Sequence, residues 1–157
     1  MTSTYVPAEL RRRITARARK FCEYCLIHED DTNFGCEADH IISIKHGGST
    51  TGENLALACL PCNRSKGSDI GSLVHDRFTR FYNPRIDRWF DHFELAPDGG
   101  RIAVLSEIGS ATARILGFNL PERLEERALL RSLGRYPLPG ALLRIEIEEP
   151  AAPASGD

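Results

Sequence analysis

The chain has 157 residues, 41% of them hydrophobic and 27% charged, an ordinary balance for one globular domain with a modest core and an appended helical piece. The net charge of −2 taken alone argues against a nucleic-acid binder, but residues 1–90 hold 13 Lys and Arg against 11 Asp and Glu, while residues 91–157 hold 7 against 11. The start, MTSTYVPAEL, lacks the apolar core of a signal peptide and no run reaches membrane-spanning length, so no membrane role and a cytoplasmic location are expected.

Residues 8–20, AELRRRITARARK, read as a helix opened by Pro7. Leu10, Ile14, Ala18 and Phe21 fall at helical spacing and can face the core. The opposite face gathers six basic residues, Arg11, Arg12, Arg13, Arg17, Arg19 and Lys20, with no acid among them. That face is either a solvated surface or a phosphate-contacting patch. FCEYC is a tight turn and LIHEDDTNFG an acidic loop. CEADHIISI reads as a strand with His40 near its middle or end, KHGGSTTGEN as a glycine- and threonine-rich loop, and LALAC as a short strand. PCNRSKGSDIGSL then opens a helix with Pro61 in its first turn.

Beyond residue 73 the chain turns aromatic. Trp89, Phe90 and Phe93 are expected to be core, with a stacking platform for unpaired bases as the alternative. ELAPDGGRIAVL has hairpin turn chemistry, and SEIGSATARILGF and LPERLEERALLRSLGRY read as helices. The organisation expected is a core of residues 1–72, a packed extension of residues 73–149 and a disordered tail of residues 150–157.

Five cysteines in such a chain are thiols or metal ligands before they are disulfides. Cys22-x-x-Cys25 and Cys59-x-x-Cys62 supply the four thiolates of a closed structural zinc site. The rival reading, a redox dithiol, needs one pair and a βαβ context that is missing. Between the pairs lie 33 residues, more than in a plain zinc ribbon, so something else occupies the gap. Cys36 is a small apolar residue, not a ligand.

Within the gap, Asp39 stands beside His40, Asn54 closes the glycine loop, and Asn63 follows Cys62. A carboxylate and an amide oxygen are hard ligands that suit Mg²⁺ or Mn²⁺. His40 can act as a general base, and Asn54 can hold its ring. Taken singly, each has a bland reading: an incidental Asp-His dipeptide, a cap at Asn54, a helix N-cap at Asn63.

Together, CEYC and EADHIISIKHGGSTTGENLALACLPCNRSKG resemble the four-cysteine, zinc-stapled branch of the HNH endonuclease family across residues 11–71. The resemblance implies an α+β fold, a small treble-clef-like ββα-metal core with structural Zn²⁺, here followed by a C-terminal hairpin and helices. It implies that His40 is the general base, that Asn54 orients it and braces the loop, and that Asp39 and Asn63 bind a catalytic Mg²⁺ or Mn²⁺. Cys22, Cys25, Cys59 and Cys62 match the zinc ligands. Asn63 stands where many members have His, which favours hard cations. The later segment from FYNPRIDRWF resembles an extension of stand-alone bacterial HNH proteins and carries no catalytic assignment.

The expected activity is hydrolysis of DNA phosphodiesters with a single metal. The alternative is a non-catalytic zinc module binding nucleic acid or protein. Candidate DNA contacts are Arg11, Arg12, Arg13, Arg17, Arg19 and Lys20, then Lys45 and His46 on the loop, then Arg64 and Lys66 on the helix. His46 could equally be solvent-exposed, and a protein partner or homodimer is compatible with the sequence.

Overall fold

Helix α1 (Ala8–Arg17) begins after Pro7, whose ring fixes φ at −55°. The computed structural model describes residues 5–98 and 100–147. Ile14, Ala18 and Phe21 are buried and Leu10 packs beside them, as the spacing predicts. The helix ends at Arg17 and not at residue 20. Arg19 and Lys20 take φ of 53° and 64°, in the left-handed region, where the chain reverses to bring Phe21 and Cys22 inward.

Strands β1 (Cys36–His40) and β2 (Leu55–Cys59) form an antiparallel hairpin in which Cys36 faces Cys59 and His40 faces Leu55. Helix α2 (Leu60–Lys66) follows β2 without a break, with Pro61 in its first turn. Alternation gives the hairpin two faces. Leu55 and Leu57 join Ile14 and Ala18 of the α1 segment in one apolar cluster, while Ala56 and Ala58 belong to the main core. This β-β-α unit inside a mixed helix-and-strand chain is the α+β architecture that the resemblance implies.

The helix opened by Pro61 stops at Gly67, and a hairpin that the sequence did not announce follows it. Strands β3 (Gly71–Val74) and β4 (Arg77–Arg80) turn through His75 and Asp76, both at positive φ. A short helix, α3 (Trp89–His92), leads into the expected hairpin of β5 (Phe93–Leu95) and β6 (Ile102–Val104). Helices α4 (Glu107–Ile115), α5 (Pro121–Ser132) and α6 (Pro139–Ile147) complete the fold. Ser106 caps α4 by accepting from the Gly109 N–H at 2.9 Å. The Pro-rich C-terminal stretch did not predict α6.

The main core merges the four zinc-spaced cysteines with the aromatic residues of the later segment. Trp89 stacks at 5.1 Å on Phe93, which meets Phe118 at 5.5 Å. Phe90 departs from the expectation: it is 41% exposed, its ring edge-on to Trp89 at the surface of this stack. The tail expected to be disordered, residues 150–157, lies outside the described residues. Among the described residues no helix is long and apolar enough to cross a membrane.

Candidate metal centre and active site

The first cysteine pair sits on a turn built for a metal. The Cys22 N–H donates to the Ile27 carbonyl at 2.8 Å, the Leu26 N–H returns to the Cys22 carbonyl at 3.0 Å, and Leu26 itself adopts φ of 69°. This folds the Cys25 N–H to 3.5 Å from the Cys22 sulfur. The second pair straddles the β2–α2 junction, with Cys59 as helix N-cap and Cys62 in the first turn. All four sulfurs are buried and lie within 4.8 Å of one another, with Cys25 and Cys59 at 3.6 Å. A tetrahedral ion with zinc–sulfur bonds of about 2.3 Å needs sulfur–sulfur edges of about 3.8 Å, so the donor set fits zinc in both chemistry and spacing. Cys36 stays outside the cluster, and burial raises its thiol pKa.

Residues far along the chain close this centre. Arg123 of α5 donates through Nη2 to Cys25 Sγ at 3.2 Å and lies 3.7 Å from Cys59 Sγ, with Nη1 3.8 Å from Cys62 Sγ. Glu23, inside the first cysteine pair, is fully buried. One of its oxygens accepts the Leu57 N–H at 2.7 Å, and the other meets the guanidinium of Arg85 and, at 3.5 Å, that of Arg144. Tyr136 donates to the Cys25 carbonyl at 2.8 Å and the Trp89 indole to the Tyr24 carbonyl at 2.9 Å. Trp89 was expected in the core; Arg123 was not anticipated here, because an arginine on a charged helix reads as surface.

The other end of the hairpin carries oxygen and nitrogen groups. Asp39 pairs with Lys66, Nζ to Oδ2 at 2.9 Å, and the same ammonium donates to the His40 carbonyl at 2.7 Å. Lys66 is 1% exposed and the Asp39 side chain 11%. Burial raises the Asp39 pKa above the ordinary carboxylate range, and Lys66 opposes that shift without cancelling it. Asn63 lies one turn before Lys66 on α2, and residues three apart share a helix face. That puts Asn63, half-buried, on the helix that carries the ion partner of Asp39. Asn63 is inside the helix, so the N-cap reading is ruled out; Cys59 occupies that position.

His40 alternates with Asp39 along β1 and sends its ring the other way, Nε2 to 2.8 Å from the Thr50 hydroxyl. Burial lowers its pKa; Asp39 pulls it up, and Lys66 adds to the lowering. The ring contact expected from Asn54 is thus made by Thr50. Asn54 is fully committed to the loop backbone: its oxygen accepts from the Ile42 N–H at 2.9 Å, and its nitrogen donates to Ile42 O and Ser49 O at 2.9 and 2.8 Å. Gly48 is obligatory beneath it, since an added Cβ would lie 1.7 Å from the Ile42 carbonyl oxygen.

Two of the expected DNA contacts are corrected by the structure. Lys66 is buried in its ion pair with Asp39, out of reach of a phosphate. Arg17 turns inward, donating to Gly52 O at 2.8 Å and Leu55 O at 2.7 Å, and braces the loop. Arg11, Arg12, Arg13, Arg19, Lys20, Lys45, His46 and Arg64 are exposed, with Arg12 bound to Glu9 at 2.5 Å.

A closed four-sulfur centre at one end of a ββα unit and an Asp-His pair at the other define a zinc-knuckle ββα module. Residues 22–69, which span both cysteine pairs, β1, β2 and α2, match the sequence model of the HNH endonuclease family, and the four cysteines fit its zinc-stapled branch. No curated protein and no solved structure matches the chain.

Proposed function

We propose that the chain is a metal-dependent endonuclease that hydrolyses DNA phosphodiester bonds at the Asp39–His40 end of β1. The observation that carries this reading is the divergence of those two neighbours: Asp39 turns toward Lys66 of α2, and His40 leaves by the opposite side onto the Thr50 loop. In this reading Asp39 serves a cation and His40 a water.

Zn²⁺ held by Cys22, Cys25, Cys59 and Cys62 is structural, because four thiolates leave no open position. Asp39 and Asn63 would hold Mg²⁺ or Mn²⁺, hard ions matched to a carboxylate and an amide oxygen. Such an ion, when bound, supplies Lewis-acid stabilisation of the charge on the phosphate and on the leaving oxygen. The Asp39 carboxylate has Lys66 as its ion partner at Oδ2, 2.9 Å away, and a carboxylate's further lone pairs are what a cation would use.

His40 accepts the proton of the attacking water. In the tautomer that donates Nε2–H to Thr50 Oγ1, Nδ1 carries the basic lone pair. The lowered pKa keeps the ring neutral near pH 7, the form a base requires. Lys66 sets the position of both residues, through the carboxylate of one and the carbonyl of the other. Asn54 acts by holding the loop that carries Thr50. The exposed basic residues of α1, the loop and α2 receive backbone phosphates. In this reading the segment up to residue 72 carries the chemistry, and Arg85, Trp89, Arg123, Tyr136 and Arg144 of the later segment brace the zinc end.

The test is conversion of supercoiled plasmid by zinc-loaded protein with Mg²⁺, with Mn²⁺ or with no added divalent ion, beside Asp39→Ala. Nicking that needs the added ion and is lost in the variant is the expected result. A wild-type protein that binds DNA yet cuts under none of these conditions would replace the nuclease by a zinc-stapled binding module.

A further inference from the structure

The first cysteine pair receives more polar contacts from the far segment than a structural turn requires, and one of them lands on the metal ligands. Arg123 lies outside the matched residues 22–69, 98 positions from Cys25. Its guanidinium, 5% exposed, spans three of the four sulfurs at 3.2 to 4.0 Å. The nearest carboxylate recorded for it, Glu126 Oε1, is 3.9 Å from Nε, too far for a hydrogen bond.

Burying a guanidinium against four neutral thiols is costly, since thiols are weak acceptors and supply no countercharge. Against four thiolates around a divalent cation the balance reverses. That cluster has a formal charge of −2, itself expensive to bury, and a fork of N–H donors is its natural complement. Partners of this kind also decide how firmly a metal is held.

We propose that Arg123 is a working part of the zinc centre: it neutralises the thiolate cluster, so that zinc retention and docking of α5 form a single coupled equilibrium. The proposal rests on zinc as the resident metal and is independent of nuclease activity. Coupling is reciprocal. If docked α5 slows zinc loss, bound zinc holds α5 in place by the same factor. The hydrogen bonds of Tyr136 and Trp89 to the backbone of Cys25 and Tyr24 would extend the effect across the segment. The C-terminal segment then reads metal occupancy: an empty centre leaves a buried cation without its counter-ion, and α5 lets go.

The test uses the full chain, with zinc content measured first, then zinc transfer to a chromophoric chelator from wild type, Arg123→Met and Arg123→Lys. Hydrogen exchange of residues 121–132 is followed before and after zinc removal. Arg123→Met should lose zinc about 10–100-fold faster, in line with the loss of a metal ligand's supporting partner. Arg123→Lys, with the charge but not the fork, should fall between. In the wild type, α5 amides should lose protection when zinc leaves. Zinc loss from Arg123→Met at the wild-type rate would overturn the proposal. If that variant does not fold, α5 protection unchanged by zinc removal in the wild type would overturn it instead. A wild type that carries no zinc would remove the metal reading first, and the coupling with it.

Discussion

The two ends of one hairpin, β1 with β2, carry opposite chemistry. At the Cys36–Cys59 end stand four buried sulfurs, closed over by Arg123 and tied by Glu23, Tyr136 and Trp89 to the rest of the fold. At the His40–Leu55 end stand a carboxylate, an imidazole and an amide, partly open to solvent and braced by a loop whose own anchor is Asn54. Soft, crowded ligands suit a cation that stays; hard, sparse ligands suit one that must also meet a substrate. Helix α2 joins the two, since Cys62 is in its first turn and Lys66 in its last. The closed end therefore anchors the helix that reaches the open end.

The largest effect should come from breaking the closed end. Cys25→Ser, or exhaustive chelation of zinc, removes metal-binding energy on the order of 10 kcal/mol, comparable to the whole stability of a small domain. Far-UV circular dichroism with zinc stoichiometry should report loss of folded structure, and activity should go with it. A chelated protein that kept its spectrum would mean the sulfur end is not the staple. Next is Lys66→Met, which leaves Asp39 a buried carboxylate without its ion partner. Removing one member of a buried pair costs roughly 3–5 kcal/mol, so the melting temperature should drop clearly. Zinc content should stay whole and cleavage should fall far below wild type. Full cleavage by a folded Lys66→Met protein would detach Lys66 from the open end. The smallest effect belongs to Thr50→Val, which deletes one hydrogen bond to the His40 ring, worth about 0.5–1.5 kcal/mol. Single-turnover rates should fall about two- to tenfold, and stability by no more than that bond's contribution.

The closed end was largely legible in the sequence. Cysteine spacing named the four ligands, and the short strands with Pro61 after them gave the ββα order. The Pro-Asp-Gly-Gly turn located β5 and β6. Other features were hidden for identifiable reasons. Arg19 and Lys20 are good helix formers that the following turn forces into left-handed conformations. The β3–β4 hairpin turns at His75 and Asp76 without the Asn-Gly or Asp-Gly signal that marks such turns. At the open end, Asp39, His40, Asn54 and Asn63 were candidates by type and interval, but Thr50 joined the His40 ring only through the path of the loop. Lys66 and Arg17 read as phosphate contacts because basic residues are usually exposed. Their burial follows from partners 27 or more residues away in sequence: Asp39 for one, the carbonyls of Gly52 and Leu55 for the other. Arg123, on a helix of alternating charge, had no local mark at all.

The most direct test of the central claim is single-turnover cleavage of supercoiled plasmid by wild type and His40→Ala in Mg²⁺, with zinc content and circular dichroism recorded for both. The account predicts that His40→Ala keeps its zinc and its fold and loses cleavage, because the staple and the base sit at opposite ends of the hairpin. Cleavage by His40→Ala at the wild-type rate would contradict it, and the proton acceptor would have to be another group.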